Sequence, residues 1–317
     1  MKTLFRKLTH HSIIPSFHHS ILIILAIGIL LFPLKSFSAE TVKFRPLLSI
    51  YSDDKGAGLK GPEGVACSEK SVLIVGDTEN GRLLRFTFEE KTVKGGTEIK
   101  VPQLSYPVRI QMNSKGEIFA LDEKQRRIAR LSPEGEFKGY VAAEGLPSAS
   151  TVIPRSMKID ANDNIYILDI FSGRVWILSP DGKYQKQVPF PKDYGFFSDL
   201  AVDARGNIFL IDSVRAVLFS AKKDSDQFTP LTKSLRENLD FPTYVTTDSR
   251  GTIYVVDQNG GGIVLLGQDG SYLGRQLGMG WSEGLLYYPS QICINEKGEA
   301  FIADRGNSRV QIFTLVK

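Results

Sequence analysis

Six aspartates recur along the chain at a nearly constant interval: Asp77, Asp122, Asp169, Asp212, Asp257 and Asp304. An arginine follows five residues later at Arg82, Arg127, Arg174 and Arg309, and three residues later at Arg215. A carboxylate beside a guanidinium is a strong charge-assisted pair that can relay a proton or clamp a charged substrate. The series therefore reads first as a ring of catalytic carboxylates. Six equivalent copies argue against that reading, because a catalytic residue is needed once. An Asp that ends one strand can instead cap the turn amides and pair with an Arg opening the next strand. The expectation is six copies of one structural clasp.

The other residue types narrow the chemistry further. All four histidines (His10, His11, His18, His19) fall within the first 38 residues. That segment carries Lys2, Arg6, Lys7 and Lys35 without an acidic residue, then the apolar run 21–32, then the small residues of "KSFSAE". Basic, apolar and small regions in this order form a secretory signal peptide, cut near 38/39, or an anchor if left uncleaved. The domains expected are thus a signal peptide at 1–38 and one folded domain at 39–317. Without residues 1–38, 35 basic residues face 35 acidic ones, so the domain is neutral. A neutral, exported domain gives no electrostatic case for nucleic acid. Its location would be periplasmic, extracellular or associated with the cell envelope, with the anchor as the sole membrane contact. With no His, Ser–His and Cys–His nucleophile arrangements are unavailable to it.

The elements that position these residues repeat with them. Each Asp closes an apolar stretch, from "VLIVGD" in the first unit to "EAFIAD" in the sixth. Fifteen residues before each Asp stand Pro62, Pro107, Pro154, Phe197, Pro242 and Pro289. The segment after each of these positions alternates, with apolar residues such as Ile110 and Met112 or Met157 and Ile159. That is period-two strand patterning. A turn-former follows in every unit: Ser68, Asn113, Asp160, Asp203, Asp248 and Asn295. The second strand is apolar at nearly every position, so both its faces must be buried. A third strand starts near each Arg, and Gly turns ("SPEG", "SPDG", "GQDG") lead to a fourth, more polar one. The fold class expected is all-β: a six-bladed β-propeller of four-stranded antiparallel blades. The last unit lacks a fourth strand, and "TVKFRPLLSIY" (41–51) precedes the first unit without a blade of its own. An N-terminal strand pairing with the C-terminal blade would close the ring.

The register resembles the NHL repeat, most closely at "YPSQICINEKGEAFIADRGNSRVQIF" (288–313) and "GPEGVACSEKSVLIVGDTENGRLLRF" (61–86). Unit four departs from it, with Phe197 for Pro and a loop two residues shorter, as does unit five, with Gly262 for Arg. The resemblance implies a six-bladed propeller but no single activity. An oxygen-ligated calcium, as in lactonase-type propellers, would need several Asp, Glu or Asn converging on the axis. The residues nearest the start of each inner strand are Gly64, Arg109, Ser156, Asp199, Tyr244 and Gln291, with Glu63 adjacent. Asp199 and Glu63 are thus the alternative metal ligands, and a metal-dependent hydrolase is the alternative function. The leading expectation is a non-catalytic, monomeric binding propeller without a cofactor. Its loop-rich face would take a protein, peptide or glycan through Trp281, Arg109, Arg155, Asp199, Tyr244, Gln291 and Tyr287. Aromatic and Arg side chains are the usual interface anchors, and "LGMGWSEGLLYYP" (277–289) makes Trp281 the best single contact. Cys67 and Cys293 lie on neighbouring blades, but packed sheets are about 10 Å apart. Bridged Cα atoms must approach to roughly 4.4–6.8 Å. Two small buried thiols are expected.

Overall fold

The second strand of every unit sends alternate side chains into two different cores, which is why its apolar run is unbroken. In Val72–Asp77, Leu73 and Val75 pack with Phe301 and Ala303 of the sixth unit. Ile74 packs the other way, with Ile110 and Ala120 of the second unit. Six such apolar layers lie between consecutive blades. Burying both faces of a central strand between sheets is the arrangement that a propeller repeats around its axis.

The computed structural model describes residues 42–147 and 151–316. The expected targeting segment at 1–38 lies outside the described residues. Six four-stranded antiparallel sheets follow one another, with inner strands Gly64–Cys67, Pro107–Met112, Pro154–Ile159, Phe197–Val202, Pro242–Thr247 and Pro289–Ile294. The inner strands of consecutive blades contact one another, and those of blades 1 and 6 close the ring. The missing outer strand of blade 6 is Lys43–Ile50, which pairs antiparallel with Arg309–Val316. The fourth strand is thus present in every blade, although blade 4 reduces it to Thr229–Pro230. In that blade the third strand begins at Val217 rather than at Arg215.

The buried aspartates do one thing in common, and it is not the expected clasp. Each accepts a backbone N–H from the segment entering its own blade: from Lys60, Ser105, Ile153, Gly195, Asp240 and Tyr287 in turn. The Arg five residues on pairs with the Asp only in blades 1 and 6, at 2.7 Å in both. In blade 5 the guanidinium comes from the fourth strand, with Arg275 at 2.7 Å from Asp257. In blade 3 the indole N–H of the fully buried Trp176 donates to Asp169 at 3.0 Å, and Arg174 turns to Gln187. Asp212 is filled by the amides of Gly195, Phe196, Val214 and Arg215, which frees the Arg215 side chain for Asp193. A carboxylate that already accepts three or four bonds has little left to offer a guanidinium. The amide tie is therefore the invariant, and the Arg is one of several ways to complete it.

The cysteines correct the expectation of free thiols. Cys67 and Cys293 form a disulfide, with their Cα atoms 5.9 Å apart. Both residues are half-buried; Cys67 ends its inner strand and Cys293 is next to the last residue of its own. Inner strands converge towards the axis, so the wider spacing of packed sheet faces does not apply to them. The bridge joins blades 1 and 6 beside the seam.

Two stability predictions follow from these ties. Cys67→Ala with Cys293→Ala releases a loop spanning 226 residues. Chain entropy gives about 5 kcal/mol for such a loop, and melting should fall by roughly 10 °C. An unchanged melting temperature would refute the role of the bridge. Asp122→Ala strands buried amides and should cost roughly 3 kcal/mol, whereas Arg127→Ala should cost less than about 1 kcal/mol. Equal losses in denaturant titrations would restore the clasp.

Candidate functional site

Every inner strand runs from one face of the ring to the other. The loops that enter these strands, together with the turns between second and third strands, share one face, here called the loop face. In blades 2–6 a bulge disrupts the pairing at the start of the inner strand, for example between Pro107 and Arg109. A bulge sets two residues against one and re-aims side chains. It falls at the ring of residues expected to form the site.

That ring is closed on itself. Arg109 is buried and reaches across the axis, donating to the Ser290 hydroxyl of blade 6 at 3.1 Å and to the Thr243 carbonyl of blade 5 at 3.4 Å. Its Nε lies 3.8 Å from Asp199, and its guanidinium stacks on Tyr244 at 5.4 Å. Asp199, fully buried, accepts from the Ser156 hydroxyl and from the Val245 amide at 2.9 Å. Lys158 donates to the Tyr244 hydroxyl at 2.5 Å and lies 4.3 Å from that ring's centroid. Gln291 bonds both backbone groups of Ile110, at 3.1 and 2.7 Å, spanning blade 1. Gly64 packs directly against Ile110, where a Cβ would meet Ile110 Cγ1 at 2.7 Å. Burial pushes the Asp199 carboxyl up, against the pull of Lys158 and Arg109. Burial also raises Glu63, against Arg109 and against Arg305 at 3.2 Å. Both alternative metal ligands are thus bordered by cations, a donor set that suits guanidinium groups better than calcium.

The expected binding residues therefore separate into two groups. Arg109, Asp199, Tyr244 and Gln291 are buried as an axial plug. Trp281, Tyr287 and Arg155 stand on the loop face. Arg155 pairs with Glu123 at 2.8 Å and lies over Phe196 at 5.7 Å. Trp281 is 75 % exposed and packs against Tyr287 at 5.9 Å, which in turn meets Tyr288 at 4.6 Å. Its loop is pinned from below: Arg309 donates to the Ser282 and Leu285 carbonyls, both at 2.9 Å, and Asn307 donates to Gly280 at 3.0 Å. The indole is held out on a rigid support, which lowers the ordering cost of binding.

The loop face carries more apolar surface than sequence reasoning found. Of the twelve large apolar side chains exposed among the described residues, all but Tyr272 belong to its loops or to the strand end at Tyr51. Ile170, Phe171 and Val214 were missed. Their signal was available: the turn after Asp opens with Ile170–Phe171 in unit three and holds Val214 in unit four, where other units place Thr78–Glu79, Glu123–Lys124 or Gln258–Asn259. Lys158 was missed too, although it is the one charged residue at its position in the six repeats. Phe197, which stands in place of Pro in unit four, is fully buried and fills the gap between blades 3 and 4.

Residues 286–313, the first three strands of blade 6, match a family model described as the NHL repeat. No curated protein matches the chain significantly in sequence. Solved structures match its fold. A gluconolactonase from Xanthomonas campestris is 14% identical, with a TM-score of 0.63 over 87% of this chain and 90% of that one. A catalytically inactive virginiamycin B lyase from Staphylococcus aureus, solved with quinupristin, is 15% identical, with a TM-score of 0.60 over 87% of this chain and 100% of that one. The PQQ-bound aldose sugar dehydrogenase from Streptomyces coelicolor is 14% identical, with a TM-score of 0.62 over 87% and 99%. At such identities the likeness is one of fold.

Glu63 gives a pH test of the axial mouth. Its raised pKa means that the folded state holds the proton more tightly than the unfolded chain. Ionisation therefore costs stability as pH rises from about 4.5 through the folded pKa. Glu63→Gln should gain in melting temperature relative to wild type over that window and hold the gain at neutral pH. A difference independent of pH would show that Glu63 ionises as freely as in the unfolded chain.

Proposed function

We propose that the chain is an exported, non-catalytic binding propeller whose loop face holds a protein, peptide or glycan partner. The observation that carries this reading is the segregation of exposed apolar side chains: they lie on the loop face, with Trp281 and Phe171 the most exposed of them. Monomeric surfaces seldom expose contiguous apolar patches without a binding role. Rigid aromatic anchors such as Trp281 contribute most of the energy of typical interfaces. The axial residues, by contrast, spend most of their polar groups on one another, which supports a structural role for them. Export is supported by the basic, apolar and small order of residues 1–38 and by a disulfide, which persists in oxidising compartments.

Affinity capture with residues 39–317 from the native envelope extract tests the reading. A partner retained by wild type should be lost, by about tenfold or more in apparent affinity, on Trp281→Ala with Phe171→Ala. Melting temperature should stay unchanged. Capture indifferent to both substitutions would refute the loop face as the site. Calcium-dependent turnover of a lactone, abolished by Asp199→Asn, would establish the hydrolase instead.

A further inference from the structure

The face opposite the loop face holds a cavity of about 480 Å³ that the axial plug and the aromatic loops do not touch. Its volume falls in the range of small-molecule sites. It opens between the turns that join first and second strands in blades 1, 2 and 3. Its apolar lining comes from Met112 and Ile159, which end two inner strands, from Cys67 of the disulfide, and from Val72 and Pro133. All five are half-buried rather than covered.

The charged groups around this floor are not balanced in use. Three carboxylates line the cavity, and each is engaged within the protein. Glu69 accepts the Glu296 amide at 3.0 Å. Asp163 accepts both the amide and the hydroxyl of Ser114, at 2.8 and 2.7 Å. Asp160 accepts the amides of Asn162 and Asn164, at 2.9 and 2.8 Å, within its own turn. On the cationic side, Arg85 donates to the Pro133 carbonyl. Lys70 and Lys115 line the cavity, are exposed, and form no ion pair among the described residues.

We propose that this cavity binds a small amphipathic anion, with an apolar body on Met112, Ile159 and the disulfide and a single carboxylate between Lys70 and Lys115. The apolar floor supplies affinity by removing hydrocarbon from water. The two ammonium groups meet the anion's charge: they form no ion pair among the described residues, whereas the three carboxylates, which keep their charge, are turned to donors within the protein. The site is independent of the loop face.

The test uses decanoate, with decanol as its neutral counterpart, each displacing the fluorescent probe anilinonaphthalene sulfonate from residues 39–317. Decanoate should bind at one site and more tightly than decanol. Lys70→Glu with Lys115→Glu should weaken decanoate by roughly tenfold and leave decanol unchanged. Ile159→Glu should weaken both. Trp281→Ala with Phe171→Ala should change neither. The two lysines are exposed, so their double variant keeps the test valid if Ile159→Glu lowers the melting temperature. Decanoate and decanol equally weakened by the lysine variant, or binding lost only with Trp281 and Phe171, would overturn the proposal.

Discussion

One interaction holds each blade together: a buried carboxylate at the end of the second strand accepts an amide from the chain arriving at the first. The six donating residues lie outside any strand, so their N–H groups need another acceptor. A carboxylate satisfies that need with a strong charge-assisted bond. The nearby proline has no N–H to satisfy, which fits the recurrence of Pro at the start of an edge strand. Because the tie fixes where the entering loop leaves the ring, it also fixes the loop face. Trp281 stands where it does because Asp304 holds the Tyr287 amide and, through Arg309, the loop carbonyls.

The two ends of the axis are solved differently by the same repeat. Towards the loop face, polar side chains from blades 2, 4, 5 and 6 meet across the axis, leaving Arg109 Nε and Thr243 Oγ1 without a hydrogen-bond partner among the described residues. Towards the other face the inner strands end in Cys67, Met112 and Ile159, which are too short and too apolar to close the gap. A buried charge is tolerated where charged or hydrogen-bonding partners offset its desolvation. That requirement accounts for the burial of Arg109 and Asp199, which by residue type alone look like a binding site.

Much of the fold was legible in the sequence because it is periodic. The fixed offset from Pro to Asp, the turn-formers from Ser68 to Asn295 and the uniformly apolar second strands specify the blades, and the unpaired segment 41–51 specifies the seam. What could not be read were choices made between repeats. Whether Asp169 takes Arg174 or Trp176 depends on which donor the packed blade brings within reach. Whether Cys67 meets Cys293 depends on how closely two strands converge at the axis, a distance that no residue spacing encodes. Of the candidate site, the aromatic loop was legible from composition. The crossing of Arg109 to the opposite blade was not, because it arises only when the ring is closed.

The seam has a consequence for how the chain can be made. Ile50 pairs with Val310, 260 residues further along. The strand at 43–50 is thus among the first of the domain to leave the ribosome and is paired only by one of the last. Until then it and the unfinished sixth blade are open edges, the kind that pair with the wrong partner. Five of the six apolar layers can form between consecutive blades before the seam, but the layer between blades 6 and 1 waits for the whole chain. Closure of the ring is therefore the last step, and it waits for the C-terminal strand.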